Sequence, residues 1–198
     1  MNIALELPQH AHGIEALLDL SFGPHRTAKT AYRLREGVAP VPELSLIATD
    51  DATGALDGTI RFWPILIGGR TPTLLLGPIA VAPHRRGTGL GGALILSGLD
   101  RARQLGWRST LLVGDAPYYS RFGFTRELTR DMAMPGPVEL SRFLGLELVP
   151  GGLAGAGGLL GRWPAGRPLP GAEAPGTDAL GADAAVIDRA RQAVATPA

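Results

Sequence analysis

Cysteine is absent from the 198 residues of this chain. This absence excludes disulfide bonds, thiolate metal ligands and a cysteine nucleophile. Long apolar runs are missing as well, because no segment reaches about 18 uninterrupted apolar residues. The N-terminus also lacks the basic and apolar stretches of a signal peptide. We therefore expect neither a membrane span nor export, and a cytoplasmic location fits both expectations.

Neither sign of charge is in excess. The sequence holds 19 lysine and arginine residues against 18 acidic residues, which gives a net charge of +1. Such a balance produces no overall attraction to nucleic acid or to an anionic membrane, and we expect neither as a partner. Any anion that the protein binds must therefore be held by a local group of donors.

Bulky residues become scarce in the last quarter of the chain. Of the 48 residues from 151 to 198, 28 are glycine, alanine or proline, which leaves little apolar surface to offset the entropy of ordering. We expect one domain over residues 1–150 and a C-terminal extension over 151–198 that is partly disordered or contains a short helix at about 178–194. The extension has three bulky residues that could dock on the domain, namely Leu159, Leu160 and Trp163.

Hydrophobic patterns predict the elements of that domain. Apolar and alternating segments predict strands at 2–7, 44–49, 58–67, 73–81 and 109–113, and a last strand pair at 125–134 and 143–149. Apolar residues three and four positions apart predict helices at 14–22, at 27–36, from about 90 to 106, and at 116–122. The order β-α-α-β-β-β-α-β-α-β-β indicates an α/β fold with a mixed, mostly antiparallel sheet and helices on both faces.

The stretch 74–92, LLLGPIAVAPHRRGTGLGG, joins an apolar strand, a basic turn and a helix start. We call residues 85–92 the glycine loop. Its four glycines let successive backbone N–H groups converge on one anion. The positive end of the helix dipole and the charges of Arg85 and Arg86 strengthen the attraction. This loop is therefore predicted to bind an anion such as a phosphate.

One interpretation of the glycine loop is a dinucleotide site. Gly87, Gly89 and Gly92 satisfy the pattern G-x-G-x-x-G, and Asp115 follows some twenty residues later, which would suit an NAD-dependent oxidoreductase. Two features weigh against it, since the first glycine lies too far beyond the strand that ends at Val81 and the preceding strands suit antiparallel hairpins. A Walker A loop is excluded because no G-x-x-x-x-G-K-[ST] occurs.

Two motifs together favour another interpretation. The pattern V-x-P-x-x-R-x-x-G-x-G is formed by Val81, Pro83, Arg86, Gly89 and Gly91. It resembles the acetyl-CoA pyrophosphate loop of the GNAT superfamily of N-acetyltransferases. The segment GDAPYYSRFGF, residues 114–124, is similar to a later motif of that family. The resemblance covers roughly residues 1–150 and is strongest to a bacterial branch of uncharacterised predicted acetyltransferases.

The resemblance implies a function and a set of site residues. It implies transfer of an acetyl group from acetyl-CoA to a primary amine by direct attack in a ternary complex, with no metal ion. Tyr119 would give a proton to the leaving thiolate. The pantetheine arm would pair with Ile79, Ala80 and Val81, and the pyrophosphate would lie on Arg86, Gly87, Thr88, Gly89, Leu90, Gly91 and Gly92.

The acceptor and the general base stay open. The strand 73–81 contains no Asp or Glu, so deprotonation of the amine would run through water or through a residue elsewhere, with Glu43, His84 and His25 as candidates. We expect a small-molecule or peptide amine as acceptor, and a homodimer through the exposed final strands is possible. The alternative to catalysis is an acyl-CoA-binding sensor or interaction module that keeps the loop without turnover.

Overall fold

The structure is a computed structural model and describes residues 2–170. The helix expected at 178–194 lies outside these residues. Its strands are β1 (Asn2–Leu5), β2 (Leu46–Thr49), β3 (Leu56–Ile67), β4 (Thr71–Val81), β5 (Ser109–Val113), β6 (Met132–Ala133), β7 (Phe143–Glu147) and β8 (Gly158–Arg162). The helices are α1 (Ala11–Phe22), α2 (Thr30–Arg33), α3 (Leu90–Gln104) and α4 (Ala116–Ser120).

The sheet has the order β1-β2-β3-β4-β5-β7. Every neighbouring pair in this path is antiparallel except β4 and β5, which are parallel. A parallel pair needs a crossover connection, and α3 supplies it. The predicted mixed, mostly antiparallel sheet is therefore confirmed. Within residues 2–170 there is no helix with the length and apolar content that spanning a bilayer requires.

Helices cover both faces of the sheet. In β2 the side chains of Leu46 and Ala48 belong to the cluster that packs under α3, whereas Ile47 belongs to the cluster under α1. This alternation follows from the two-residue period of a strand. On α3 the buried side includes Leu94, Ile95, Leu99 and Ala102.

The helix predicted at 27–36 is shorter than expected. Only Thr30–Arg33 is α-helical, because Arg26–Ala28 forms a 3-10 turn and Lys29 is extended with φ −68° and ψ 143°. The turn directs the Arg26 side chain toward α1, where it donates to Asp19 over 2.7 Å. A tertiary contact thus outweighs the local helical pattern.

The predicted last strand pair is also wrong in detail. β7 pairs with β5, and the segment before it contributes only the two-residue β6 and a single bridge between Thr125 and Gly145. A 3-10 turn at Glu127–Thr129 interrupts that segment. The buried Thr129 hydroxyl donates to the Phe143 carbonyl over 2.7 Å, which holds the turn against β7 in place of a regular strand.

The composition of the C-terminal segment did not predict β8. This strand pairs with the second half of β3, from Ile65 to Ile67, a part of the edge that the short β2 leaves uncovered. Leu160 and Trp163 are buried and Leu159 is exposed. The Trp163 ring meets the Trp107 ring edge to face at 6.0 Å, so this segment adds to the core despite its many glycines.

Close packing between α3 and β3 makes Gly98 sensitive to substitution. A Cβ on Gly98 would overlap the ring of Phe62, which is fully buried and has no room to move. We expect Gly98→Ala to lower the free energy of unfolding by roughly 1–3 kcal/mol, because overpacking outweighs the gain in helix propensity. Denaturant unfolding measures this.

Gly13→Ala in α1 is the matched control, since a Cβ there meets only the Leu56 side chain at 3.5 Å. It should raise the free energy of unfolding by up to about 1 kcal/mol. Equal effects of the two substitutions would contradict the packing argument.

Candidate functional site

The neighbouring strands β4 and β5 separate in the middle of the sheet. The register between β3 and β4 shifts by one residue around Gly77 and Pro78, so β4 carries a bulge there. The last paired residues of β4 and β5 are Leu75 and Leu111. Beyond this pair the two strands diverge, and a gap opens between them.

The gap exposes one side of the β4 backbone. The Ala82 N–H donates to the Asp57 carbonyl over 2.8 Å, which makes this pair a hydrogen-bonded one. Hydrogen-bonded and non-hydrogen-bonded pairs alternate in antiparallel strands, so Ala80 also directs its backbone groups toward β3. The N–H and C=O groups of Ile79 and Val81 consequently point into the gap.

The glycine loop lies at the end of β4 and leads into α3. Gly87 has φ +76° and Gly89 has φ +83°, a backbone conformation that favours glycine. α3 begins at Leu90, and the first N–H groups of a helix have no acceptor within it. The amides at the start of α3, together with the exposed Arg86, form a donor group for an anion.

A buried carboxylate anchors the loop. Asp57 on β3 is fully buried, and its Oδ1 lies 3.0 Å from His84 Nε2. Its Oδ2 lies 3.4 Å from Arg85 Nε, and Arg85 also reaches Asp50 at 4.0 Å. Arg85 is therefore directed at the base of the loop, whereas the sequence had led us to expect its charge beside the anion site. A lone aspartate in an apolar strand was the only sequence signal for this anchor.

Tyr119 stands on the opposite wall of the gap. α4 begins after Asp115, whose carboxylate accepts from the Tyr118 N–H over 3.2 Å. The Tyr119 ring lies directly over Gly114, where a Cβ would overlap it. The Tyr118 hydroxyl instead approaches α3, 3.0 Å from the position of a Cβ on Gly91. Only Tyr119 of the two lines the gap.

The surroundings of Tyr119 keep its phenol protonated. Burial raises the pKa of Tyr119 to about 12, with a further contribution from Tyr118. The charge of Arg142 lowers the pKa of Tyr119, whereas the charge of Asp115 raises this pKa further. A phenol with this pKa retains its proton throughout the neutral and mildly alkaline range.

The gap is part of a cleft of about 660 Å³, which we call the central cleft. Its walls are residues 75–79 of β4, residues 112–115 at the end of β5 and just beyond it, Tyr119, α2, and residues between 137 and 142. This volume suits a small-molecule ligand. The base candidates Glu43, His84 and His25 are not among its lining residues. Between residues 2 and 170 no three His, Asp or Glu side chains converge in a way that could hold a metal ion.

A splayed sheet, a glycine loop at a helix start and a tyrosine across the gap define an acetyltransferase fold. The Acetyltransferase (GNAT) family model matches residues 12–124, more than half of the chain. The protein therefore belongs to the GNAT family of acetyltransferases, as the two sequence motifs predicted.

Bacterial relatives agree with this assignment. The uncharacterized N-acetyltransferase YhbS of Escherichia coli K12 is 35% identical over 161 residues, which cover 81% of this chain and 95% of the relative. The crystal structure of E. coli YhbS in complex with CoA matches with a TM-score of 0.71 and 34% identity, over 82% of this chain and 89% of that one. A GNAT family acetyltransferase from Brucella melitensis in complex with acetyl-CoA matches with a TM-score of 0.58 and 33% identity, over 75% and 88%.

The raised pKa of Tyr119 predicts a pH dependence of stability. Between pH 10 and 12 the unfolded chain loses this phenol proton while the folded chain keeps it. The unfolded state then binds fewer protons, so the free energy of unfolding falls as the pH rises. We expect the stability of the wild type relative to Tyr119→Phe to decrease across this range by roughly 1–3 kcal/mol. Denaturant unfolding at several pH values tests this, and parallel curves for the two proteins would contradict it.

Proposed function

We propose that this protein transfers the acetyl group of acetyl-CoA to a primary amine by direct attack in a ternary complex. The observation that carries the proposal is the exposed side of β4, which runs from the part of the central cleft that holds Tyr119 to Val81, shortly before the glycine loop. The relatives whose structures contain CoA and acetyl-CoA support the choice of co-substrate.

The residues present fit this co-substrate. The amides at the start of α3, with Arg86, Gly87, Thr88 and Gly89, would hold the pyrophosphate. The backbone groups of Ile79 and Val81 that face the gap would pair with the pantetheine amides, as an added strand pairs with a sheet edge. Ala80 lies between them, and its own backbone N–H and C=O groups point toward β3 instead.

The chemistry requires one bond to form and one to break. The neutral amine nitrogen attacks the thioester carbonyl carbon, and a β4 amide on the open side stabilises the oxyanion that develops. The carbon–sulfur bond then breaks and the thiolate takes the phenol proton of Tyr119. The proton lost by the amine goes to water, and Tyr119 regains a proton from water, so the protons balance.

Water is the proposed acceptor of the amine proton because no carboxylate lies on the exposed stretch of β4. Glu43 lies in a 3-10 turn before β2, and His84 contacts Asp57. His25 precedes the 3-10 turn that leads to α2. None of these three side chains lines the central cleft, so the proposal assigns the amine proton to none of them.

Removing the Tyr119 hydroxyl tests its role as proton donor. Tyr119→Phe should lower kcat by about 10²-fold or more, because a positioned general acid contributes 10²–10⁴-fold. The dissociation constant for acetyl-CoA should stay within about twofold, since the hydroxyl acts only in the transition state. Steady-state kinetics and calorimetry measure the two quantities.

Tyr118→Phe is the matched control, because it removes the same atom from the adjacent ring that faces α3. It should leave kcat within about threefold of the wild type. If both substitutions lower kcat equally, or if Tyr119→Phe weakens acetyl-CoA binding as much as it lowers kcat, Tyr119 has a packing role only.

A negative charge in the glycine loop should repel the coenzyme. Gly89→Asp places a carboxylate beside the proposed pyrophosphate site and strains a backbone with φ +83°. We expect acetyl-CoA affinity to fall by about 10–100-fold, which corresponds to about 1.4–2.7 kcal/mol. Calorimetry measures the dissociation constant directly.

The control is Gly69→Asp in the turn between β3 and β4. Gly69 has φ +70° and open space around it, and it lies at the end of β4 that is remote from the glycine loop. This variant suffers similar backbone strain but should bind acetyl-CoA like the wild type. Equal affinities for both variants would remove the pyrophosphate assignment.

A further inference from the structure

Arg35 is a buried arginine that has no carboxylate partner in the described part of the chain. It lies two residues after α2 and is 9% exposed, and its Nε has no hydrogen-bond partner. Among residues 2–170 no acidic side chain forms an ion pair with it. Its guanidinium stacks on the rings of Tyr32 at 4.7 Å and Trp63 at 5.7 Å. A buried charge that lacks an opposite charge is unfavourable unless a ligand supplies one.

Two neighbouring arginines show the contrast, since both have carboxylate partners. The pairs are Arg26 with Asp19 (2.7 Å) and Glu15, and Arg61 with Glu6 (2.6 Å) and Glu15 (3.2 Å). The carboxylates of Glu6, Glu15 and Asp19 are therefore engaged by the other two arginines. Arg35 contributes a positive charge that no acidic side chain among residues 2–170 neutralises by direct contact.

The charge of Arg35 persists at neutral pH. Burial lowers the pKa of Arg35 to about 10, Tyr32 opposes the shift, and repulsion from Arg26 and Arg61 adds to it. The guanidinium is thus fully protonated near pH 7, and it remains a desolvated cation in the fold.

Arg35 lies at the central cleft, beside the bulge of β4. It lines this cleft and a neighbouring one of about 510 Å³. Its Nη2 lies 3.4 Å from the position of a Cβ on Gly77. Along β4, Val81 is nearest the glycine loop, Ile79 follows, and Gly77 marks the far end of the gap. An acceptor that approaches the reacting end of the coenzyme from α2 therefore passes the Arg35 guanidinium.

We propose that Arg35 binds the carboxylate of the acceptor, so that the acceptor is an amine with a carboxylate group, of the amino acid class. This inference rests on the proposed acetyl transfer. A guanidinium offers a planar fork that matches the two oxygens of a carboxylate. The same region disfavours a polyamine, because a second cation on the acceptor would meet the charge of Arg35 in a desolvated site.

Thermal stability separates a ligand-binding arginine from a structural one. Arg35→Met keeps an unbranched stem for the stacking on Tyr32 and removes the unpaired charge. Its melting temperature should be unchanged or a few degrees higher. In the matched variant Arg26→Met the carboxylates of Asp19 and Glu15 lose a partner, so its melting temperature should fall. A larger loss in Arg35→Met than in Arg26→Met would make Arg35 structural and overturn the proposal.

Matched acceptors test the carboxylate directly. The probes are the common L-amino acids as free acids and as primary amides, with phosphoethanolamine as a phosphate-bearing amine. The wild type should favour the best free acid over its amide by about 100-fold in kcat/KM, since an unpaired buried donor penalises the analogue that lacks its partner. In Arg35→Met and Arg35→Lys the ratio of kcat/KM for the free acid to that for its amide should fall to within about tenfold. The fall should come from a higher KM for the free acid, and acetyl-CoA affinity should be unchanged. The α-amine of an amino acid amide is less basic than the α-amine of the free acid, so a larger share of it is neutral and able to attack near pH 7. Intrinsic reactivity therefore works against the expected preference for the free acid.

The outcomes distinguish this inference from the proposed function. Turnover of amines without preference for a carboxylate overturns the Arg35 site and leaves acetyl transfer intact. If no amine is acetylated but free amino acids bind the CoA-loaded protein in an Arg35-dependent manner by calorimetry, acetyl transfer fails and the site stands. If neither turnover nor such binding is observed, both proposals are overturned. A preference for phosphoethanolamine over every amino acid overturns the carboxylate class.

Discussion

The unequal pairing of β4 is the constraint on which the rest of this structure depends. β4 is hydrogen-bonded to β3 on both sides of its bulge, but to β5 only around Leu74 and Leu75. Backbone groups in a sheet interior normally have partners, and those of Ile79 and Val81 lose theirs where β5 diverges. The glycine loop, Tyr119 and Arg35 are all arranged around this gap. A sheet with full pairing at this point would have no route from the loop to the reacting centre.

The charges of the protein act locally, although the net charge is only +1. Asp57 anchors the base of the glycine loop through His84 and Arg85, which leaves Arg86 exposed for an anion. On the other side of β4, carboxylates neutralise Arg26 and Arg61, whereas within residues 2–170 no carboxylate pairs with Arg35. The proposed acceptor side combines α2 with a distant segment, because Thr30 donates to the Pro137 carbonyl over 2.5 Å. Family membership fixes the class of reaction, and contacts of this kind decide the acceptor.

Local patterns in the sequence predicted most of the fold. Apolar patterns predicted both ends of β3, β4 and β5 to within two residues. The helix α3 was also predicted, and its apolar face lies against the sheet. The spacing of Arg86, Gly89 and Gly91 identified the family, because a loop that presents backbone amides needs glycine at fixed positions. Elements whose limits depend on distant contacts were predicted less well, namely α2, β6 and β8. In each of them a tertiary contact outweighs the local propensity.

The sequence by itself determined where the chain turns, which faces are apolar and which family it belongs to, because these follow from the order of neighbouring residues. Only the tertiary structure decided which charges are paired. Arg85 and Arg86 are adjacent in the chain, yet one contacts the buried Asp57 and the other lies exposed. Arg35 looks like an ordinary surface arginine in the sequence. Its burial against Tyr32 and Trp63 places it beside Gly77 in the bulge of β4, and that contact joins residues about forty positions apart in the chain.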